Sequence, residues 1–147
     1  MNPLRAITIR NPHAALIAAG IKRVENRGYT NSLRGEVAIH AAKQADPDAD
    51  PLPDTYRQFQ RFGAVIAVVD VVDCHPATPD RTGDWCCRTA GGLLTYGTRP
   101  AHHLVLQRLR VLTVPVPVRG RLQIGWTVPA DVAAAVRSQL ALEEVPR

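Results

Sequence analysis

No stretch of this 147-residue chain approaches the roughly 20 consecutive apolar residues that a membrane-spanning helix needs. The opening Met1-Asn2-Pro3-Leu4-Arg5 lacks the charged-then-apolar layout of a secretory leader. A soluble, cytoplasmic protein is expected. Cysteine is scarce too: Cys74, Cys86 and Cys87 are odd in number with two adjacent, a poor disulfide framework that suits a reducing compartment. Cys74, His75, Cys86, Cys87, His102 and His103 fall in or beside one long loop. Their Cys-Cys and His-His pairs lack the spaced C-x-x-C arrangement usual for tetrahedral zinc, so no metal and no cofactor is expected. Internal repeats are missing, as is the exposed apolar stripe that a protein-interaction domain would need. Only two of the 18 basic residues are lysines, Lys22 and Lys43. Where arginine is otherwise preferred, a lysine marks a place for a compact, titratable point charge.

Positive charge is present and unevenly placed. Residues 1–43 carry seven cations (Arg5, Arg10, Lys22, Arg23, Arg27, Arg34, Lys43) against two anions (Glu25, Glu36), while the rest of the chain is neutral, with eleven of each sign. The whole formal excess of +5 therefore sits in the first third, as expected for a surface that meets phosphate or another anion.

The length suits one domain over residues 1–147, with a core at about 5–128 and a C-terminal helix at about 130–142. Arg5 to Arg10 alternates as a half-buried strand ending at Arg10. Asn11 as N-cap and Pro12 as first residue open a short helix that Gly20 closes, and its N-terminus, flanked by Arg10 and His13, predicts an anion cradle. Ile21–Arg27 reads as a short polar strand, in which Glu25 stands between Arg23 and Arg27. In the strand Glu36–Ala42, small alanines flank His40 and leave room for something flat, although a satisfied buried histidine explains the pattern equally well. Residues 44–53 hold three prolines and three aspartates and read as a loop. Asp54 caps an expected helix, Thr55–Phe62, with Tyr56, Phe59 and Phe62 inward. Ala64–Asp73 is almost continuously apolar and β-branched, the pattern of a central buried strand. Residues 74–100 show no clear period and read as a lid or binding loop, or as a loop that hides a short helix; its large aromatics, Trp85 and Tyr96, either stack on a base or anchor the loop. His102–Leu112 is a further strand, Pro129 opens the last helix, and the tail Glu143–Arg147 is expected to fray.

Ile7-Thr8-Ile9-Arg10-Asn11-Pro12, Gly20-Ile21-Lys22-x-Val24-Glu25-x-Arg27, Arg34-Gly35 and Ile39-His40-Ala41, in this order, resemble the ASCH domain of the PUA-like superfamily. The later Gly63-Ala64-Val65-Ile66, Val72-Asp73-Cys74 and Pro115-Val116-Pro117-Val118-Arg119-Gly120-Arg121-Leu122 before Trp126 are similar to that family's closing strands, so the similarity spans roughly residues 5–128. The resemblance implies an α+β fold, a small PUA-like β-barrel with peripheral helices, and a cleft between the Pro12 helix, the Lys22–Arg27 strand and the barrel mouth. Relatives bind RNA or nucleotides there, and some hydrolyse RNA or an acylated cytidine. Position by position, Lys22 and Glu25 would sit in the cleft with Arg10, Arg27 and His40 around it. His13 stands where many relatives have Trp. Thr occupies the Glu25 position in amidohydrolase members, so that nucleophile is absent here.

Two functions are weighed. In a module binding RNA, single-stranded nucleic acid or a nucleotide, Arg10, His13, Lys22, Arg27, Arg34 and Lys43 line the basic face. Trp85 or Trp126 would then stack a base, and His40 or Gln107 would read its edge. In a metal-independent hydrolase of RNA or a modified nucleoside, a desolvated Lys22 activates water or a 2′-hydroxyl with Glu25 or His40 as proton partner. Binding is the preferred reading, because a cluster of charges is easier to assemble than an aligned nucleophile and base.

Overall fold

A computed structural model describes residues 2–144. In chain order the first elements are β1 (Arg5–Ile9), α1 (His13–Ala18), β2 (Val24–Arg27), β3 (Gly35–Ala41), a 3-10 turn at Asp54–Phe59 and β4 (Ala64–Pro76). A second 3-10 turn at Arg88–Ala90 follows, then the small hairpin β5 (Thr95–Tyr96) and β6 (Arg99–Pro100), β7 (His102–Pro117), β8 (Trp126–Thr127) and α2 (Ala130–Glu143). The main sheet runs β2-β7-β4-β3-β1-β8, with β1 parallel to β3 and the other ladders antiparallel. This is a mixed α+β fold.

β4 is apolar almost throughout because both faces of the sheet are covered. On one face Ile7, Ile9, Val37, Ile39, Val69 and Leu104 pack with Ala14 and Ile17 of α1. On the other, Ala6, Ala38, Val65, Val68 and Leu112 pack with Trp126 and with Val132, Val136 and Leu140 of α2. Alternation along each strand sends successive side chains to opposite cores. Burying an aliphatic side chain in either core contributes about 1.5–3 kcal/mol.

Several expectations are corrected. The sheet is open: β2 and β8 are its edges and no ladder joins them among the described residues. With four and two residues, these strands offer too few backbone groups to close the expected barrel. Asn11 does not occupy the N-cap position, which falls to Pro12, yet its side chain accepts from the Ala15 amide at 3.1 Å. With the Ala14 amide donating to the Arg10 carbonyl and that of Leu16 to Pro12, three of the first four helical amides are taken up by the chain itself, which leaves little of the expected anion cradle. The polar strand is shorter than expected, Val24–Arg27. The helix expected at Thr55–Phe62 is the 3-10 turn, and Phe62 points outward at 49% exposure while Phe59 packs on the α1-side core. The long loop holds a short helical element, as one of its two readings allowed, and in addition the small β5–β6 hairpin. Glu143 is still helical, and the tail beyond Glu144 lies outside the described residues.

Candidate functional site

A cleft forms where α1, β2 and the end of β1 meet the loop after β4. It encloses about 410 Å³, and Arg10, His13, Lys22, Glu25, Arg27 and Tyr96 are among its lining residues. β2 positions the floor because it is an edge strand whose outer side is capped by loop rather than by another strand. Glu25 is 8% and Asn26 5% exposed, so this short strand is polar and buried at once.

Asn26 is why that burial is tolerated. Its amide nitrogen donates to the Gly91 carbonyl at 2.9 Å and its oxygen accepts from the Leu93 amide at 2.9 Å, so one side chain pairs with both sides of a chain segment. Lys22 Nζ donates to the same Gly91 carbonyl at 3.1 Å, and the Arg23 amide to the Ala90 carbonyl at 2.8 Å. These bonds make residues 90–93 one wall of the cleft. Arg27 donates to the Thr8 carbonyl at 3.2 Å. Its Nε lies 3.4 Å from Glu25 Oε1, too poorly aligned for a hydrogen bond, and is left buried without an acceptor.

Burial dominates the electrostatics of the floor. It pushes the Glu25 carboxyl above the usual carboxylate range against the opposing pull of Arg27, Lys22 and His13. It also holds the Lys22 ammonium below the usual lysine range, with Glu25 opposing. Two neighbouring groups are thus driven toward their neutral forms, as desolvation requires. At the rim, His13 Nε2 lies 3.3 Å from Asp46, whose carboxyl is kept low first by the Asp48 amide and then by His13. Away from the cleft, Arg110 pairs with Glu36 and Asp70, and Arg108 with Asp70 and Glu144. In the cleft, Arg27 and His13 face Glu25 and Asp46, whereas Arg10 and Lys22 have no carboxylate within ion-pair distance among the described residues.

The sequence profile of the ASCH domain matches residues 7–89, more than half of the chain. This chain belongs to the ASCH domain family. Its fold is similar to the crystal structure of ASCH from Zymomonas mobilis, at 14% identity and a TM-score of 0.57 over 92% of this chain and 94% of that one. A mutant form of the same Zymomonas mobilis protein superposes with a TM-score of 0.58 at 14% identity, covering 93% of this chain and 98% of that chain. At such identity the likeness concerns the fold. No curated protein matches the chain.

Of the residues singled out from sequence, the structure of this ASCH domain brings Arg10, His13, Lys22, Glu25, Arg27 and Tyr96 into one cleft and leaves the others outside its lining. Lys43 is exposed beside the lining residue Ala42. Arg34 is turned onto its own loop, donating to the Asn31 and Leu33 carbonyls, and lies in a separate depression with Arg5 and Glu36. Gln107 lines a groove on the other side of Lys22. Trp85 is half-buried and bridges to Pro79. Trp126 is 3% exposed in the α2-side core, with no ring face free for a base. The cleft aromatic is Tyr96, at 45% exposure. Asn26 and Asp46 went unnoticed in the sequence; Asn26 sits inside the Lys22–Arg27 motif, which was the available signal.

His40 is 2% exposed and stands behind Thr8, outside the cleft lining. Trp126 Nε1 donates to Thr8 Oγ1 at 3.1 Å, Thr8 Oγ1 lies 3.3 Å from His40 Nδ1, and His40 Nε2 lies 2.8 Å from the Val118 carbonyl. With Val118 accepting from Nε2, the neutral ring takes the tautomer in which Nδ1 accepts from the Thr8 hydroxyl. Burial accordingly lowers the His40 pKa below its ordinary 6.5, against the Val118 hydrogen bond. A depressed folded pKa makes stability complete above the unfolded value and loses it as the pH falls through the folded one. Glutamine at this position can still donate to Val118 and cannot charge. His40→Gln is therefore expected to flatten the fall in melting temperature between neutrality and about pH 5, measured by calorimetry against wild type; parallel curves would remove His40 from the acid response.

Proposed function

We propose that this ASCH domain binds single-stranded RNA, or a nucleotide at an RNA end, in the basic cleft. The family's PUA-like domains generally bind RNA. The observation that carries the reading here is the convergence of Arg10, Lys22 and Arg27, all lacking a full complement of internal partners, on a cleft of about 410 Å³. That volume falls in the range of pockets, about 300–1,000 Å³, that take small ligands. Lys22 and Arg27 meet phosphate, Tyr96 gives a flat surface for a base, and Glu25 accepts from a ribose hydroxyl or a base amine. Fluorescence anisotropy of short labelled RNA over a series of salt concentrations tests it. Affinity is expected to fall steeply with salt, by about 0.7 in log K per log salt for each phosphate neutralised, and to exceed that for DNA of the same sequence. Absence of saturable binding at low salt would overturn the reading.

A hydrolase is the second reading, favoured by one observation: in the same cleft Glu25 is held toward its protonated form and Lys22 toward its free amine, as a proton-transfer pair requires. His40 takes no part, since both its nitrogens are committed. Incubating the protein with RNA and with acylated nucleosides should yield product that Glu25→Gln abolishes while leaving binding intact. Intact substrates after prolonged incubation would leave the cleft a binding site.

A further inference from the structure

We propose that the segment joining β4 to β7 is folded around a zinc ion, held by His75 Nε2, Cys86 Sγ, Cys87 Sγ and His103 Nδ1. The four ligand atoms lie within 4.8 Å of one another. Cys87 Sγ is 3.3 Å from His75 Nε2 and Cys86 Sγ is 3.5 Å from His103 Nδ1. Zinc bonds of about 2.3 Å to sulfur and about 2.0–2.1 Å to nitrogen, at tetrahedral angles, place such atoms about 3.5 Å apart.

The backbone explains how residues of unpromising spacing converge. His75 and His103 are direct partners in the β4–β7 register, so both rings leave the same face of the sheet, 5.3 Å apart. Cys74 and His102, one step along each strand, point to the other face; the Cys74 sulfur receives Asn31 instead. The adjacent cysteines can both turn inward because Cys87 adopts a left-handed backbone, φ 59°, a costly conformation for a non-glycine residue that tends to mark sites of function. Gly92 passes so close that a Cβ there would lie 2.9 Å from both the Cys87 carbonyl oxygen and His103 Cε1.

A surrounding shell fixes the ligands. Asp73 holds His75 Nδ1 at 2.7 Å and the Leu93 carbonyl holds His103 Nε2 at 2.8 Å, so each ring presents its other nitrogen to the cluster, the arrangement usual behind metal-bound histidine. The Thr78 amide donates to Cys86 Sγ at 3.3 Å. S–H···N hydrogen bonds alone would satisfy each Cys–His pair separately. They leave unexplained why the two pairs are pressed together beside a strained residue, in a segment where no side chain from 77 to 100 is fully buried. Two thiolates and two neutral imidazoles balance the charge of one Zn²⁺ as the two thiol protons leave to solvent, and four protein ligands leave no open position. The site is therefore structural.

The test uses the full chain expressed with zinc and freed of loose metal by desalting. Elemental analysis should find about one zinc per chain, bound with a Kd below about 10 nM. A thiol reagent should reach Cys74 alone until chelator is added, and all three cysteines afterwards. Replacement by Co²⁺ should give the intense visible bands of a tetrahedral thiolate site. Cys86→Ser with Cys87→Ser should lose the metal and Cys74→Ser should keep it. If the double variant fails to fold, the wild-type stoichiometry, thiol count and cobalt spectrum decide. Metal-free protein with three reactive thiols and an octahedral cobalt spectrum would overturn the proposal, as would zinc retained by the double variant.

Discussion

Replacing Lys22 with alanine is expected to weaken binding of short single-stranded RNA by about tenfold at moderate salt and to flatten the log K against log salt line by about 0.7, the contribution of one phosphate on a single strand. Lys22 matters more than Arg10, which is exposed at the rim, because partial burial excludes competing water from its ammonium. Its pKa lies below the ordinary 10.5 through that same burial, so wild-type affinity should decline as the pH rises through this depressed value and the charge is lost. Lys22→Arg should bind without that decline, since guanidinium does not titrate there. An unchanged salt slope in Lys22→Ala would show that the ammonium serves only to hold Gly91, and the phosphate contact would have to be sought at Arg27.

The largest effect on stability is expected from the smallest change. A methyl group on Gly120 would lie 2.5 Å from His40 Cε1, 2.6 Å from His40 Nδ1 and 2.8 Å from Thr8 Oγ1. All three are fixed, since His40 is pinned to Val118 and Thr8 to Trp126. Overpacking a core usually costs about 1–3 kcal/mol; with no neighbour free to yield, the upper end applies, and Gly120→Ala should lower the melting temperature by about 10 °C in a chain of this length. Combining it with His40→Ala removes the atoms that clash, so the double variant should be less destabilised than the two single effects added together. Additive effects would locate the damage in the backbone of the Arg119–Arg121 turn instead.

β1, β3, β4 and α2 could be read from the chain because alternation or a continuous apolar run states which sides are buried, and the two cores meet those sides. The cleft residues Lys22, Glu25 and Arg27 were legible because they are close in sequence and belong to one motif. His40 and Trp126 are ambiguous from sequence for one reason: residue type shows that a ring is present, whereas its partner, Thr8, lies on another strand. The juxtaposition of His75 with His103 depends on a cross-strand register that includes several bulges, and no local spacing rule carries that information. The open edge of the sheet was equally hidden, since resemblance to a barrel family does not specify the lengths of β2 and β8.

The Gly91 carbonyl that Lys22 and Asn26 share has a consequence for the order of events as the chain folds. The residues it joins are 69 and 65 positions apart, with β3 and β4 between them. A loop of that length closes slowly, and Gly91 comes within reach of β2 only after β7 has paired with β4 and drawn the intervening segment back across the sheet. A chain still emerging from synthesis therefore displays β2 and the preceding Lys22 and Arg23 without the wall that completes the cleft, and the site comes into being only once the long strand that follows that wall has been made.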